Sequence, residues 1–151
     1  YLLKKFNKDN IIIARLFTFI GKYLPRNGSY AIGNFLNSIE KSKDIIIKSK
    51  NSKQTYRSFL FSDDLVNCLM ILLVNKNNSK TPIYNVGSEE HISIYNLTKN
   101  ISKDYNLLIE NKEKVTSNLL DYYVPNIQKL KKNYKNIKFT NIQDSIIKSI
   151  N

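Results

Sequence analysis

The feature that most limits the fold of this 151-residue chain is the continuous apolar run at residues 11–17, Ile-Ile-Ile-Ala-Arg-Leu-Phe. A run without alternation of apolar and polar residues predicts a strand that is buried on both faces, as in parallel sheets. Residues 1–8 resemble the end of a helix. A helix that leads into such a strand is the second half of a strand–helix–strand crossover, which predicts an α/β fold. Since the first strand of that crossover is missing, we expect the sequence to start within a domain.

A second informative stretch is residues 56–65, Tyr-Arg-Ser-Phe-Leu-Phe-Ser-Asp-Asp-Leu. Phe59 and Phe61 alternate with smaller residues, which predicts a half-buried strand. Ser62 and the two aspartates after it predict the capped start of an apolar helix. Arg57 would then lie at the mouth of a strand, where a planar guanidinium suits a phosphate or carboxylate ligand. The alternative is a surface arginine that pairs with Asp63 or another acid.

The other elements are predicted from turn, capping and periodicity signals. These are a loop at 18–28, a helix at 30–43 capped by Ser29, a strand at 44–48, a hairpin turn at 50–53, a strand at 82–87, a helix at 94–104 capped by Ser93, a strand at 107–109, a polar loop at 111–121, a lysine-rich helix to about Tyr134, and a last helix with a capping box of Thr140 and Gln143.

Composition excludes several classes of function. The net charge is +12, but only Arg15, Arg26 and Arg57 of the 24 basic residues are arginines. The lysines are spread among asparagines, so we interpret them as solvated surface and do not expect nucleic-acid binding. No apolar run is long enough to cross a bilayer, so we expect no membrane association. The single cysteine, Cys68, lies within an apolar helix and allows no internal disulfide, which fits a cytoplasmic location and a role in packing.

No complete active site is present in the sequence. His91 has no cysteine or acidic cluster at metal-ligand spacing, so no metal site is expected. Cys68 has no base beside it, which argues against a thiol nucleophile. The four glycines fit neither a dinucleotide fingerprint nor a P-loop. We therefore assign no catalytic residue.

Taken in order, several motifs resemble the C-terminal half of the NAD-dependent epimerases and dehydratases of the extended short-chain dehydrogenase/reductase family, which act on nucleotide sugars. They are Ala14-Arg15-Leu16-Phe17, the Gly21–Pro25 loop, Tyr30–Phe35, Tyr56–Phe61 with Asp63-Asp64-Leu65, Tyr84–Ser88 with Ser93-Ile94, and Tyr123–Asn126 before a lysine-rich helix. The first resembles the strand that follows the catalytic Tyr-x-x-x-Lys helix of that family.

The resemblance implies five substrate-binding residues. Arg57 matches the arginine that binds the pyrophosphate, and Asn34 and Phe35 match the segment that lies along the nucleotide. Thr18 stands where many members have an asparagine near the sugar phosphate, and Asn85 matches a position that lines the substrate pocket, with the capping of a turn as the alternative. Tyr23 and Arg26 lie in a loop that could shape sugar specificity. The chain departs from the family at 115–118, where a second phosphate-binding arginine is missing, and at Asn126, which replaces an aspartate.

The resemblance also implies how the chain is divided into domains and which part of the full-length protein binds NAD. Residues 1–28 would be the last crossover helix, strand and loop of a Rossmann-type domain, and 29–151 mainly a substrate-binding subdomain with some elements that return to the sheet. NAD would be bound mainly by a missing N-terminal part, which would also carry the catalytic Tyr-x-x-x-Lys. The implied ligand is a nucleotide-diphosphate sugar, and the resemblance allows a homodimer of the full-length protein.

Two other functions remain open from the sequence. The chain could be a non-catalytic remnant that binds a nucleotide or a partner chain, although a self-contained domain should not begin with half a crossover. It could also be a lysine-rich nucleic-acid-binding module.

The nucleic-acid alternative predicts affinity for DNA or RNA that falls by about 10³-fold or more between about 50 and 200 mM salt. It also predicts no preference for UDP or dTDP. Filter binding at the two salt concentrations, with UDP as competitor, checks this alternative. Weak DNA and RNA binding beside measurable UDP binding is the result we expect.

Overall fold

The computed structural model describes residues 11–28, 30–48, 51–74, 82–112, 119–135 and 137–151. In order, the elements in these ranges are β1 (Ile13–Leu16), β2 (Phe19–Ile20), α1 (Ala31–Glu40), β3 (Ile45–Ile47), β4 (Thr55–Ser58), β5 (Leu60–Phe61), α2 (Ser62–Val74), β6 (Ile83–Val86), β7 (His91–Ser93), α3 (Ile94–Tyr105), β8 (Ile109–Asn111), β9 (Asp121–Tyr123), α4 (Gln128–Asn133) and α5 (Ile142–Ile150). The helix end predicted at 1–8 and most of the loop predicted at 111–121 lie outside these residues.

Parallel pairing dominates the described strands. β1 pairs with β6, β2 with β5, β3 with β8 and β4 with β9, all in parallel. β4 also pairs with β7 in the antiparallel direction, so it is the central strand of a three-stranded sheet. Parallel partners need long connections, and the helices α1, α2 and α3 lie in those connections. The predicted α/β class with parallel strands is confirmed.

β1 is not buried on both faces, contrary to the prediction. Ile13 and Ala14 are half-buried, Arg15 is exposed, and Leu16 is 46% exposed. β1 pairs with β6 on one side, and no described strand lies on its other side. A strand with one neighbour keeps part of its surface open, which explains the incomplete burial.

Residues 55–61 form two strands instead of the single half-buried strand that was predicted. β4 belongs to the three-stranded sheet, whereas β5 pairs with β2. Phe59, Leu60 and Phe61 are 3%, 1% and 7% exposed, so burial does not alternate. The reason is that Phe59 faces one core cluster and Leu60 faces another, which buries both sides of the segment.

Several short elements also differ from the predictions. A turn lies at 51–54, where the Gln54 N–H donates to the Asn51 carbonyl at 3.2 Å, close to the turn predicted at 50–53. It does not join a hairpin as predicted, because β3 pairs with β8 and β4 pairs with β7 and β9. β2 lies inside the loop predicted at 18–28, and the strand predicted at 107–109 lies at Ile109–Asn111. Strands of two or three residues are too short to show a period of two in the sequence.

For the helices, the predicted apolar faces agree with the structure better than the predicted ends do. In α1 the face of Ile32, Phe35, Leu36 and Ile39 is buried as predicted, but the helix is shorter than 30–43. Its N-cap residue is Tyr30, which makes no side-chain cap hydrogen bond, and Ser29, the predicted cap, lies outside the described residues.

Two caps are provided by side chains. The predicted cap of α3 is confirmed, since the Ser93 hydroxyl accepts a hydrogen bond from the Asn96 N–H at 3.2 Å. The predicted box of Thr140 and Gln143 is displaced by one residue: Asn141 caps α5 and accepts from the Asp144 N–H at 2.8 Å. The Thr140 N–H donates instead to the Asp64 carboxylate at 2.6 Å, which ties the start of α5 to α2.

The two core clusters lie on either side of the 59–60 junction. One cluster contains Phe59 with residues of α1, α3 and α5, and the other contains Leu60 with residues of α2, β6 and α4. On α2 only Leu65, Cys68 and Leu72 are buried. The opposite side of α2 exposes 37–74% of each apolar side chain, namely Val66, Leu69, Met70, Leu73 and Val74. None of the described helices is long and apolar enough to cross a membrane.

Replacement of Leu36 by alanine tests the first cluster. Leu36 is 0% exposed, so we expect Leu36→Ala to lower the free energy of unfolding by about 2–5 kcal/mol. Leu73 is 74% exposed on α2 and is the matched control, with an expected change of about 0.5 kcal/mol or less. Urea denaturation followed by circular dichroism measures both, and equal losses would contradict the assignment of Leu36 to the core.

Candidate functional site

A cleft of about 840 Å³ lies between α1, the loop before it, the segment around β3, and β4. Its volume is within the usual range of ligand-binding pockets. The polar and charged side chains along its walls come from four separate parts of the sequence: Thr18, Arg26, Asn34, Lys43, Asp44, Lys48, Thr55 and Arg57. The fold thus brings together four of the five predicted binding residues: Thr18, Asn34, Phe35 and Arg57.

Arg57 is the third residue of β4, and its side chain lies on the same face as those of Thr55 and Phe59. Its guanidinium forms a bidentate pair with Asp121: Nη1 donates to Oδ1 at 3.1 Å and Nη2 donates to Oδ2 at 2.6 Å. Nη1 also donates to the Tyr56 carbonyl at 2.8 Å. The alternative of an arginine paired with an acid is therefore correct, with Asp121 as the acid, and the same arginine lines the cleft.

The hydrogen bond from Arg57 lowers the pKa of Asp121 below its ordinary value. The carboxylate is therefore ionised at neutral pH. A lowered folded-state pKa contributes stability that is present above the unfolded pKa of about 4 and is lost as pH falls through the folded value. Because the Asp121 side chain is 56% exposed, solvent screens the pair and its contribution to stability is small.

Asn34 and Phe35 contribute differently to the cleft. Asn34 is exposed in the first turn of α1, and its carboxamide donates to the Gly28 carbonyl at 3.1 Å, so its oxygen faces no described donor. Phe35 is only 3% exposed and belongs to the first core cluster. The Phe35 ring therefore supports the wall of the cleft more than it offers surface to a ligand.

Thr18 lies between β1 and β2, and Asn85 is the third residue of β6. Thr18 is half-buried in the cleft wall, and its carbonyl accepts from the Leu60 N–H at 3.0 Å. Asn85 in β6 does not line the cleft, and its carboxamide donates to the Asn126 carbonyl at 2.9 Å. Of its two predicted roles, this geometry favours the one that holds a turn.

Arg26 has a structural role. Its guanidinium binds the Glu40 carboxylate at 2.7 Å and also donates to the carbonyls of Gly21, Leu24 and Ser149. The hydrogen bond from Arg26 lowers the pKa of Glu40. These contacts fix the loop at the rim of the cleft against α1 and α5. Tyr23 is 93% exposed and does not line the cleft.

Lysine supplies the uncompensated charge of the cleft. Lys43 and Lys48 lie on its wall, are exposed, and form no ion pair with the described residues. Asp44 is the acidic side chain between them. Since the charges of Arg26 and Arg57 are balanced by Glu40 and Asp121, the two lysines and Asp44 leave one net positive charge on the wall. This arrangement suits an anionic ligand.

Other chemistry is not assembled in the described residues. They contain no group of three or more His, Cys, Asp or Glu side chains that could hold a metal ion. Burial raises the pKa of the Cys68 thiol to about 11, which agrees with its predicted role in packing and leaves it protonated at neutral pH.

The sequence analysis did not assign a site role to four residues that lie in or beside this cleft. Asp121 and Tyr123 belong to β9, which is too short for a periodicity signal, and the Tyr123 ring stacks on Phe17 at 4.9 Å beside Arg57. Lys43 and Lys48 were interpreted as solvated surface like the other lysines. Only the pairing of β4 with β9 places Asp121 beside Arg57, and that pairing joins residues far apart in the chain.

The fold is of the parallel α/β class and carries a cleft lined by arginine and lysine side chains, and comparison with known proteins gives the family. The model of the NAD dependent epimerase/dehydratase family matches residues 2–87, more than half of the chain. The chain therefore belongs to this family, as its motifs predicted. A search of the curated proteins gives no match.

Solved structures share the fold. Pal from Bacillus thuringiensis is 18% identical, with a TM-score of 0.81 over 99% of this chain and 47% of that one. UDP-N-acetylglucosamine 4-epimerase from Methanobrevibacter ruminantium, in complex with UDP-N-acetylmuramic acid, is 15% identical. Its TM-score is 0.77 over 99% of this chain and 48% of that one. dTDP-glucose 4,6-dehydratase from Bacillus anthracis, in complex with NAD, is 15% identical, with a TM-score of 0.72 over 92% of this chain and 43% of that one. The chain spans less than half the length of each.

Gly33 tests the packing of the cleft rim. A Cβ at Gly33 would lie 2.3 Å from the Pro25 carbonyl oxygen, which is backbone and cannot rotate away. Alanine normally stabilises a helix by about 1 kcal/mol relative to glycine. Here we expect Gly33→Ala to destabilise the protein by about 1–3 kcal/mol through overpacking.

Asn37→Ala in the same helix is the control, with an expected gain of about 0.5 kcal/mol from helix propensity. Urea denaturation of both variants checks the prediction. A more stable Gly33→Ala protein would contradict the close approach of α1 to the loop.

Proposed function

We propose that this chain is the substrate-binding portion of an NAD-dependent nucleotide-sugar epimerase or dehydratase, and that the cleft binds the nucleotide diphosphate. The observation that carries the proposal is the position of Arg57 in the cleft, because the arginine that matches the family motif lines the cleft wall. Lys43 and Lys48 add charge for a diphosphate.

Family membership and the fold of the neighbours support the class of reaction. In the whole enzyme, a hexose would be oxidised, changed by elimination or epimerisation, and reduced again. The groups for that chemistry would lie outside this chain, since no catalytic residue is assigned within it. The cleft residues would bind and orient the substrate.

The fold family implies NAD as the cofactor, and we propose that it is bound mainly by residues outside this chain. Dinucleotide binding uses a glycine-rich turn at the start of a helix. Two glycines of this chain have packing roles instead: Gly33 lies close to the Pro25 carbonyl, and Gly87 packs against Phe17 and Pro125. Nicotinamide chemistry supplies the hydride transfer in the enzymes of this family.

The division of the chain that the resemblance implies is also part of the proposal. Residues 1–28 would belong to the Rossmann-type domain, and 29–151 would form mainly the substrate-binding subdomain. β6 supports the expectation that some elements of the second part return to the sheet, because it pairs in parallel with β1 at Ile13–Ile83 through Leu16–Val86.

Replacement of Arg57 tests the proposal. Arg57→Ala removes charged hydrogen-bond donors from the cleft, so we expect the Kd for UDP to rise by about 10- to 100-fold. Isothermal titration calorimetry of the 151-residue chain with UDP measures the change.

The matched control is Arg15→Ala, which removes the same charge from an exposed position in β1 outside the cleft. Its Kd for UDP should stay within about twofold, apart from a small loss of long-range attraction. Equal weakening in the two variants would indicate a general charge effect and would contradict a specific site at Arg57.

A further inference from the structure

The Arg57 guanidinium is held by one of its two edges. The edge formed by Nη1 and Nη2 binds the carboxylate of Asp121, and Nη1 also lies 3.3 Å from the Asp121 carbonyl and 2.8 Å from the Tyr56 carbonyl. The other edge, formed by Nε and the second Nη2 hydrogen, has no hydrogen-bond partner among the described residues. A guanidinium has five N–H donors in a fixed fork, so fixing one edge fixes the direction of the other.

We infer that Asp121 is a positioning residue for the binding of the nucleotide diphosphate: it holds one edge of the Arg57 guanidinium so that the other edge is oriented for a phosphate. This inference rests on the proposed function of the cleft. Asp121 itself does not line the cleft and acts only through Arg57.

The backbone fixes Asp121 in this position. The parallel pairing of β4 and β9 places Asp121 opposite Thr55 and Tyr123 opposite Arg57. The Asp121 N–H also donates to the Gln54 carbonyl at 3.0 Å. The carboxylate is thus carried by a strand that is hydrogen-bonded to the strand of Arg57, and the two side chains share one face of the sheet.

The exposure of the pair points to orientation as its main effect. Arg57 is 26% exposed and Asp121 is 56% exposed, so the ion pair adds little to folding stability. An unpaired arginine side chain would retain its rotamer freedom and would lose it when the ligand binds. Asp121 removes that freedom before binding, which lowers the cost of association.

The direction of the effect distinguishes positioning from competition. Removal of the carboxylate also removes a negative charge near the phosphates, and that change alone would tighten binding. A weaker complex in the variant therefore identifies the lost orientation of Arg57. Asp121→Asn keeps one acceptor oxygen without the charge and should be intermediate.

The experiment measures the Kd of UDP and of uridine for the 151-residue chain and for Asp121→Ala, Asp121→Asn, Arg57→Ala and the double variant Arg57→Ala/Asp121→Ala. We expect Asp121→Ala to weaken UDP binding by about tenfold and Asp121→Asn by about threefold. Uridine, which lacks phosphate, should bind all variants within about twofold of one another. In the Arg57→Ala background the second substitution should have no further effect on UDP, because the residue through which Asp121 acts is gone.

Three results would overturn the inference while leaving the proposed function intact. The first is tighter UDP binding by Asp121→Ala, and the second is unchanged UDP binding by Asp121→Ala while Arg57→Ala binds UDP more weakly. The third is a double variant that binds UDP more weakly than Arg57→Ala by the full effect of Asp121→Ala. Absence of UDP binding by the parent chain, or unchanged binding by Arg57→Ala, would contradict the proposed function itself. Circular dichroism checks that each variant is folded. If Asp121→Ala is not folded, Asp121→Asn, which preserves the shape of the side chain, replaces it in the comparison of Kd values.

Discussion

The structure depends on the way residues 55–61 serve two sheets. β4 is the centre of the β7-β4-β9 sheet, and β5 continues the same segment into a parallel pair with β2. The change occurs at Phe59 and Leu60, which face different core clusters. The segment is therefore held by packing on both of its sides. Arg57 lies two residues before Phe59, so its backbone is held by the same packing.

The sequence was informative wherever one element could be recognised on its own. The apolar face of α1, the cap of α3 at Ser93 and the parallel α/β class could all be predicted from local periodicity and hydrogen-bonding chemistry. Four of five binding residues predicted by resemblance lie in one cleft. What the sequence could not show was pairing at a distance: β4 with β9, or Asp64 with the Thr140 N–H. Such contacts leave no periodic signal in either partner.

The errors have a common physical origin. The run at 11–17 and the segment at 59–61 are both rich in apolar residues, and the presence or absence of a period of two predicts their burial. β1 is less buried than its composition suggests because it has one described neighbour, and the second segment is more buried because it has cores on both sides. Burial is set by what surrounds a strand as much as by its own residues. Composition alone also could not separate Lys43 and Lys48 from the lysines that only face solvent.

The pairing of Arg57 with Asp121 has a consequence for the kinetics of association. At distances beyond a few ångströms the two charges cancel, so an approaching anion is attracted mainly by Lys43 and Lys48 at the wall of the cleft. If the cleft binds the proposed diphosphate, the lysines would govern the encounter rate and its dependence on ionic strength, whereas Arg57 would act only after contact and govern how long the complex lasts. Capture and retention of the ligand would then depend on different side chains of one cleft.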